Sequence, residues 1–165
     1  MPVRRRILLI ALTLISGVGC DWRTKSLAST HLRGREPLSF LGDTLRLDYA
    51  ENTGGFLGLG DSLPGEVRTG LFTYACTAGV AAILVYLFLA RLSALQVLAL
   101  SLIAAGGIGN LIDRFSWGYV RDFLNVGLGP IRTGIFNMAD AVMMAGCVLA
   151  VMAFRRNPRP HGPGL

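Results

Sequence analysis

Two aspartates in the C-terminal part of the chain, Asp122 and Asp140, are of a type and in a setting that could do acid–base chemistry. Asp122 closes the polar turn Trp117-Gly118-Tyr119-Val120-Arg121-Asp122-Phe123. Asp140 lies inside an apolar run that starts at Gly134 and continues to Phe154. An aspartate at the centre of a membrane-spanning helix costs roughly 2.5–3.5 kcal/mol, which makes it a functional candidate by default. Two carboxyls brought together at low dielectric cannot both ionise easily, so the pair shares a proton. The ionised member can deprotonate a water while the protonated one donates to a carbonyl oxygen, which is amide-hydrolysis chemistry. Such a pair titrates as a unit, and neither member is assigned as acid or base. The competing reading makes each a structural carboxylate paired with Arg114 or Arg121.

The composition indicates that these groups are held by membrane elements. Of 165 residues, 52% are apolar and only 16% charged, against roughly 25% charged in soluble domains, and the mean hydropathy is +0.52. The length fits one domain. The net charge of +6 comes from arginines, with Lys25 the only lysine. Clusters at Arg4-Arg5-Arg6 and at Arg155-Arg156 with Arg159 suit cytoplasmic anchoring. A nucleic-acid-binding face would spread basic residues among exposed aromatics, and no such pattern is present. Cys20, Cys76 and Cys147 lie in or at the edge of apolar segments and suggest no disulfide framework. His31 and His161 are the only histidines, with no Cys/His cluster, so neither a zinc or iron site nor another cofactor is expected.

Four spans can be read, at about residues 7–20, 69–90, 92–112 and 134–154. The last three have about the twenty residues needed to cross the hydrocarbon core. The first is short and must recruit its flanks, through snorkelling of Arg6 or Lys25 or local thinning. It also resembles a secretory signal ending at Cys20. Gly17 stands where a lipoprotein signal wants a Leu-like residue, and three spans follow, so an uncleaved span is preferred. Positive charge at both termini and at Arg91 places both ends and the Ala90-Arg91-Leu92 connection in the cytoplasm. Residues about 21–68 and 113–133 are then external. Within them, Leu38–Leu41 and Leu45–Tyr49 are strand-like around a two-residue Gly42-Asp43 turn. A loop with Gly54, Gly55, Gly58 and Gly60 follows, and a tail (155–165) with three prolines reads as disordered. No internal repeat is visible.

This orientation collects the unusual polar groups at one interface. Asp21 and Lys25 are one helical turn apart in the favourable acid-before-base order. Asn110, Asp113 and Arg114 share the outer end of span three, and Asn137 and Asp140 share a face of span four. Each has a plainer reading: a surface ion pair for Asp21–Lys25, a cap and anchor for Asn110–Arg114, close helix packing for Gly106, Gly107 and Gly109. A transporter or proton channel is the main rival class, but it needs polar residues through the whole depth, and the inner halves of spans two to four are apolar. A non-catalytic scaffold would leave both aspartates as structural pairs.

Five motifs then occur in a familiar order: Asp21-Trp22-Arg23-Thr24-Lys25, Asn52-Thr53-Gly54, Gly107-Ile108-Gly109-Asn110-Leu111-Ile112-Asp113-Arg114, Gly118-Tyr119-Val120-Arg121-Asp122-Phe123, and Phe136-Asn137-Met138-Ala139-Asp140. In this the chain resembles the lipoprotein signal peptidase (signal peptidase II) family from about Ile7 to Phe154. The resemblance implies an all-α membrane protein of four transmembrane helices with a small external (periplasmic) β-cradle, forming one peptidase domain over 1–154. It implies a bacterial inner-membrane aspartyl endopeptidase that cuts diacylglyceryl-modified prolipoproteins before the lipidated cysteine. Carried over, Asp122 and Asp140 form the catalytic dyad. Asp21, Lys25, Asn52, Gly54, Asn110, Asp113, Arg114 and Asn137 shape the site and bind the substrate backbone. Membrane lipids and a cyclic-peptide inhibitor of the family are the other implied partners. One departure stands out: the family continues Gly-Ala-Ala-Phe where this chain has Gly54-Gly55-Phe56-Leu57, in a loop expected to cover substrate.

Overall fold

The computed structural model describes residues 1–54 and 63–155. The glycine loop at 55–60, with its atypical Gly55-Phe56-Leu57, and the tail beyond Arg155 lie outside the described residues. In chain order the elements are α1 (Val3–His31), β1 (Leu38–Phe40), β2 (Leu45–Asn52), α2 (Gly65–Leu89), α3 (Ala94–Trp117), β3 (Val120–Leu128), β4 (Ile131–Arg132) and α4 (Met138–Arg155). Among the described residues three helices, α2, α3 and α4, are long and apolar enough to cross a membrane.

The bundle is organised around α3, 61% of whose apolar window is buried against 17% for α2 and α4. Ser93 and Gln96 start it with a reciprocal capping box. Gly118 ends it in the left-handed conformation (φ 79°), its N–H donating to Arg114 O. Three glycines let three neighbours approach: a Cβ would meet Ala139 O of α4 at 2.3 Å from Gly106, Val80 of α2 at 2.5 Å from Gly107, and Asp21 of α1 at 2.6 Å from Gly109. Small residues thus do the packing work expected where lipid supplies no hydrophobic drive between helices. Far from the sheet, Ile10, Leu87, Leu92 and Val97 form an apolar cluster. There Arg6 donates to the carbonyls of Leu87 and Ala90 and so caps the end of α2.

The helix α1 does not stop at Cys20. It runs 29 residues to His31, so the shortness of the first apolar segment reflects where polarity begins, not where the helix ends. Its last turns bury Ala28 and, just beyond, Leu32 against Phe123 of β3. The sheet is antiparallel in the order β1-β2-β3-β4.

Three sequence expectations are corrected here. Phe40 pairs with Leu45, so the first hairpin loop has four residues and is not a two-residue turn. Leu41, Gly42 and Asp43 all have positive φ (54°, 61°, 68°), and Asp43 holds the loop by accepting from Ser39 and Arg46. Asp122 is not in a turn: it is the third residue of β3, opposite Ala50 of β2. The run 134–137 is not helical either. Phe136 bridges Leu124 as an extended segment alongside β3, which delays the start of α4 to Met138. Asp140 is therefore in the first turn of α4, roughly 3 Å along its axis from the first residue.

Candidate active site

The two aspartates come from different kinds of element and meet through asparagine amides. On β3, alternation turns Arg121 and Phe123 to one face and Asp122 to the other. Asp122 is buried, 2% exposed. Its Oδ2 accepts from Asn52 Nδ2 at 3.0 Å and its Oδ1 from Asn137 Nδ2 at 2.6 Å. Asn137 directly precedes α4 and caps it: its Oδ1 accepts from Asp140 N at 3.0 Å, while Asp140 Oδ2 accepts from Asn137 N at 3.1 Å. This is the reciprocal pattern of a capping box. Asp140 Oδ1 accepts from Asn110 Nδ2 at 2.8 Å. Both carboxylates are thus gripped by amide donors, and Asp140 also sits at a helix N-terminus, where the dipole favours negative charge.

Each amide has only one workable orientation. Lys25 Nζ, which can only donate, reaches Asn110 Oδ1 at 2.9 Å. Asn110 must therefore turn its oxygen to Lys25 and its NH2 to Asp140. Asn137 Nδ2 gives its second hydrogen to the same Asn110 oxygen at 3.0 Å. Asn52 Oδ1 accepts from Gly54 N at 2.9 Å, which aims its NH2 at Asp122.

Beneath the asparagines lies a buried charge cluster. Lys25 is 0% exposed and pairs with Asp21 at 2.8 Å and Asp113 at 3.3 Å. The i,i+4 pair that reads as a surface pair in the sequence is therefore fully interior, because Gly109 brings α3 against that face of α1. Asp21 Oδ1 also accepts from Ala139 N at 2.8 Å, tying α1 to the residue before Asp140. Asp113 is saturated by Arg121, whose backbone N donates at 3.0 Å and whose guanidinium donates at 2.6 and 3.1 Å. Two carboxylates thus face two cations, a balance that buried charges require.

Arg121 is accordingly spent on Asp113, and Arg114 Nη2 donates to Gly54 O at 3.1 Å. The arginines put forward as structural partners for Asp122 and Asp140 are held by other groups. Burial pushes the Asp122 carboxyl up to about 6, opposed by the Asn52 hydrogen bond and reinforced by the charge of Asp140.

All ten residues singled out in the sequence fall in this one region. Two further residues belong to it. Arg121, which orders Asp113, stands next to Asp122, but its role depends on the strand periodicity that a turn reading hides. Arg68 of α2 donates to Thr53 Oγ1 at 2.5 Å, and with Arg114 it holds the Thr53-Gly54 backbone. Nothing in its sequence position marks it. Among the described residues no group of three or more His, Cys, Asp or Glu could hold a metal ion. Among the described residues Asp140 borders a cavity of about 300 Å3 under residues 133–136 and one of about 390 Å3 between α2, α3 and α4.

Membrane-length helices around a pair of carboxylates, Asp122 buried and Asp140 half-buried, each held by amide donors, describe a membrane-embedded peptidase of the aspartic type. The family model described as Signal peptidase (SPase) II matches residues 12–155. The chain belongs to the signal peptidase II family. A lipoprotein signal peptidase of Desulforapulum autotrophicum is 35% identical over 147 residues, covering 87% of this chain and 90% of that one. The lipoprotein signal peptidase of Syntrophomonas wolfei is 35% identical over 118 residues, with 72% and 73% covered. Two solved bacterial membrane enzymes share the fold. One has a TM-score of 0.73 at 22% identity, with 99% of this chain and 95% of that one covered. The other has 0.75 at 24% identity, with 92% and 93% covered.

Proposed function

We propose that the chain removes the signal peptide from diacylglyceryl-modified prolipoproteins, cutting before the lipidated cysteine, with Asp122 and Asp140 as the catalytic dyad. The observation that carries this reading is the Asn137 side chain. Its amide donates to Asp122 and its carbonyl accepts from the backbone of Asp140, so one residue sets both carboxylates. The ionised member of the dyad takes a proton from water, which attacks the scissile carbonyl. The protonated member donates to the carbonyl oxygen as the tetrahedral intermediate forms. Since the cations beneath are balanced by Asp21 and Asp113, the dyad is left free to hold a single proton. Asn52, hydrogen-bonded to Asp122, Gly54, hydrogen-bonded to Asn52, and Arg114, which lines a cavity with Asp140, fit the role of holding the substrate backbone.

In this reading α1 is the fourth transmembrane helix. At about 1.5 Å per residue its length suffices to cross the bilayer, and Ile7, Leu8, Leu12 and Ile15 of its first half are exposed for lipid contact. Arg4-Arg5-Arg6, Arg91 and Arg155 lie at the helix ends remote from the sheet. The positive-inside rule then puts both termini in the cytoplasm of the bacterial inner membrane and the β-cradle and site at the periplasmic face. Asp140, in the first turn of α4, stands at the depth where a lipid anchor would hold the scissile bond.

Asp122→Asn and Asp140→Asn, each checked for folding, test the dyad on a lipidated precursor. Each variant is expected to lose about 10²–10⁴-fold in rate, the range for a general acid–base group. Full cleavage by either one refutes the assignment.

A further inference from the structure

The larger cavity at Asp140 carries chemistry that hydrolysis does not use. Each wall is a helical stripe: Asp140, Met144 and Cys147 at i, i+4 and i+7 on α4, Asn110 and Arg114 at i and i+4 on α3, and Cys76 on α2. Cys147 lies roughly 10 Å along α4 from Asp140. Both cysteines are free thiols; Cys147 is exposed and Cys76 half-buried. Cys76 Sγ makes a long contact of 3.8 Å to Gly107 O. The third free thiol, Cys20, is on α1 and forms no part of this wall.

We propose that Cys76 and Cys147 make this cavity a thiol-addressable inhibitory site, taking small, uncharged, soft electrophiles. An adduct on either sulfur occupies the cavity that Asp140 lines and blocks substrate without touching a carboxylate. The largely apolar lining favours uncharged reagents over charged ones, since a charge entering it is desolvated. The proposal rests on the reading of Asp140 as catalytic. With an alkyl methanethiosulfonate the cysteine thiolate attacks the sulfenyl sulfur. A new S–S bond forms, the sulfur–sulfonyl bond breaks, methanesulfinate leaves with the electron pair, and the thiol proton passes to buffer. A dithiol reverses the adduct, and substrate or a bulky ligand at Asp140 slows its formation.

The test treats the full chain in proteoliposomes with benzyl methanethiosulfonate and counts adducts on Cys20, Cys76 and Cys147 by mass spectrometry. Complete modification is expected to slow precursor cleavage at least about tenfold, as misplacing a reactant by an ångström does. Dithiothreitol restores the rate, and Cys20→Ala remains sensitive. The Cys76→Ala/Cys147→Ala double variant, measured against its own untreated rate, loses the sensitivity. The short bifunctional reagent 1,2-ethanediyl bismethanethiosulfonate is expected to join Cys76 to Cys147. That cross-link reads the geometry independently of catalysis. It would stand even if Asp122→Asn and Asp140→Asn retained cleavage and the dyad fell. An unchanged rate after both thiols are fully modified, or no Cys76–Cys147 cross-link, overturns the proposal.

Discussion

Replacing Lys25 with methionine, which keeps the stem and deletes the ammonium, strikes the point where charge balance and site geometry meet. Lys25 is 0% exposed and has three partners: Asp21 at 2.8 Å, Asp113 at 3.3 Å, and Asn110 Oδ1 at 2.9 Å. Asp113 keeps Arg121 after the change, at 2.6 Å. Asp21 keeps the Ala139 N–H but no cation among the described residues, so one buried carboxylate is left uncompensated. Breaking a buried pair in this way costs about 3–5 kcal/mol, or roughly two to three and a half orders of magnitude in the folding equilibrium. Neutralising the stranded charge tests the cause. Lys25→Met with Asp21→Asn is expected to be less destabilised than the two single changes summed, with a coupling of about 1–3 kcal/mol. The catalytic consequence is separate: without Lys25 the Asn110 amide loses the donor that orients it, and cleavage falls even where the protein is folded. Chemical unfolding in mixed micelles gives the four stabilities of the cycle, and precursor cleavage gives the rates. A Lys25→Met chain within about 0.5 kcal/mol of the parent, the range of ordinary surface changes, refutes the buried-pair argument. So does a coupling near zero.

Gly106→Ala places a Cβ 2.3 Å from Ala139 O and 2.9 Å from Met143 Cβ. It should cost about 1–3 kcal/mol and lower the cleavage rate by moving the turn that carries Asp140. Gly79→Ala, where nothing lies within 4 Å, is the control and should be neutral or mildly stabilising in a thermal melt. The Asp122 carboxyl is raised from 3.8 to about 6, so the folded chain keeps a proton that the unfolded chain releases. The associated stability is therefore whole below about pH 4 and lost as pH rises through about 6, at most about 3 kcal/mol. It should vanish from unfolding midpoints in Asp122→Asn. For the parent chain, kcat/KM should fall above about pH 6 as the shared proton leaves, and a flat profile to pH 8 would contradict the single-proton dyad.

Relations inside one element were readable from the chain. Helical spacing put Asp21 with Lys25, Asn110 with Asp113 and Arg114, and Asn137 with Asp140, because these depend only on the 3.6-residue period. Hydropathy marked three membrane-length helices, and charge gave an orientation. What escaped were relations between elements. Nothing local distinguishes a surface Asp21–Lys25 pair from a buried one; Gly109, far along the chain, decides it by letting α3 close over α1. The same burial hid the length of α1: Asp21 and Lys25 of its outer half face other helices, and a hydropathy average counts their polarity without direction. Asp122 read as a turn residue because Gly118 ends α3 just before it, whereas pairing with β2 extends that segment into a strand. Residues 134–136 are apolar and run on into span four, yet Phe136 is taken by Leu124. That contact fixes the start of α4 and so the place of Asp140. The sequence by itself determined which groups could do the chemistry and which end of the bundle they share. Only tertiary packing decided that three asparagine amides, oriented by one buried lysine, a capped helix and a tight backbone turn, would hold the two carboxylates together.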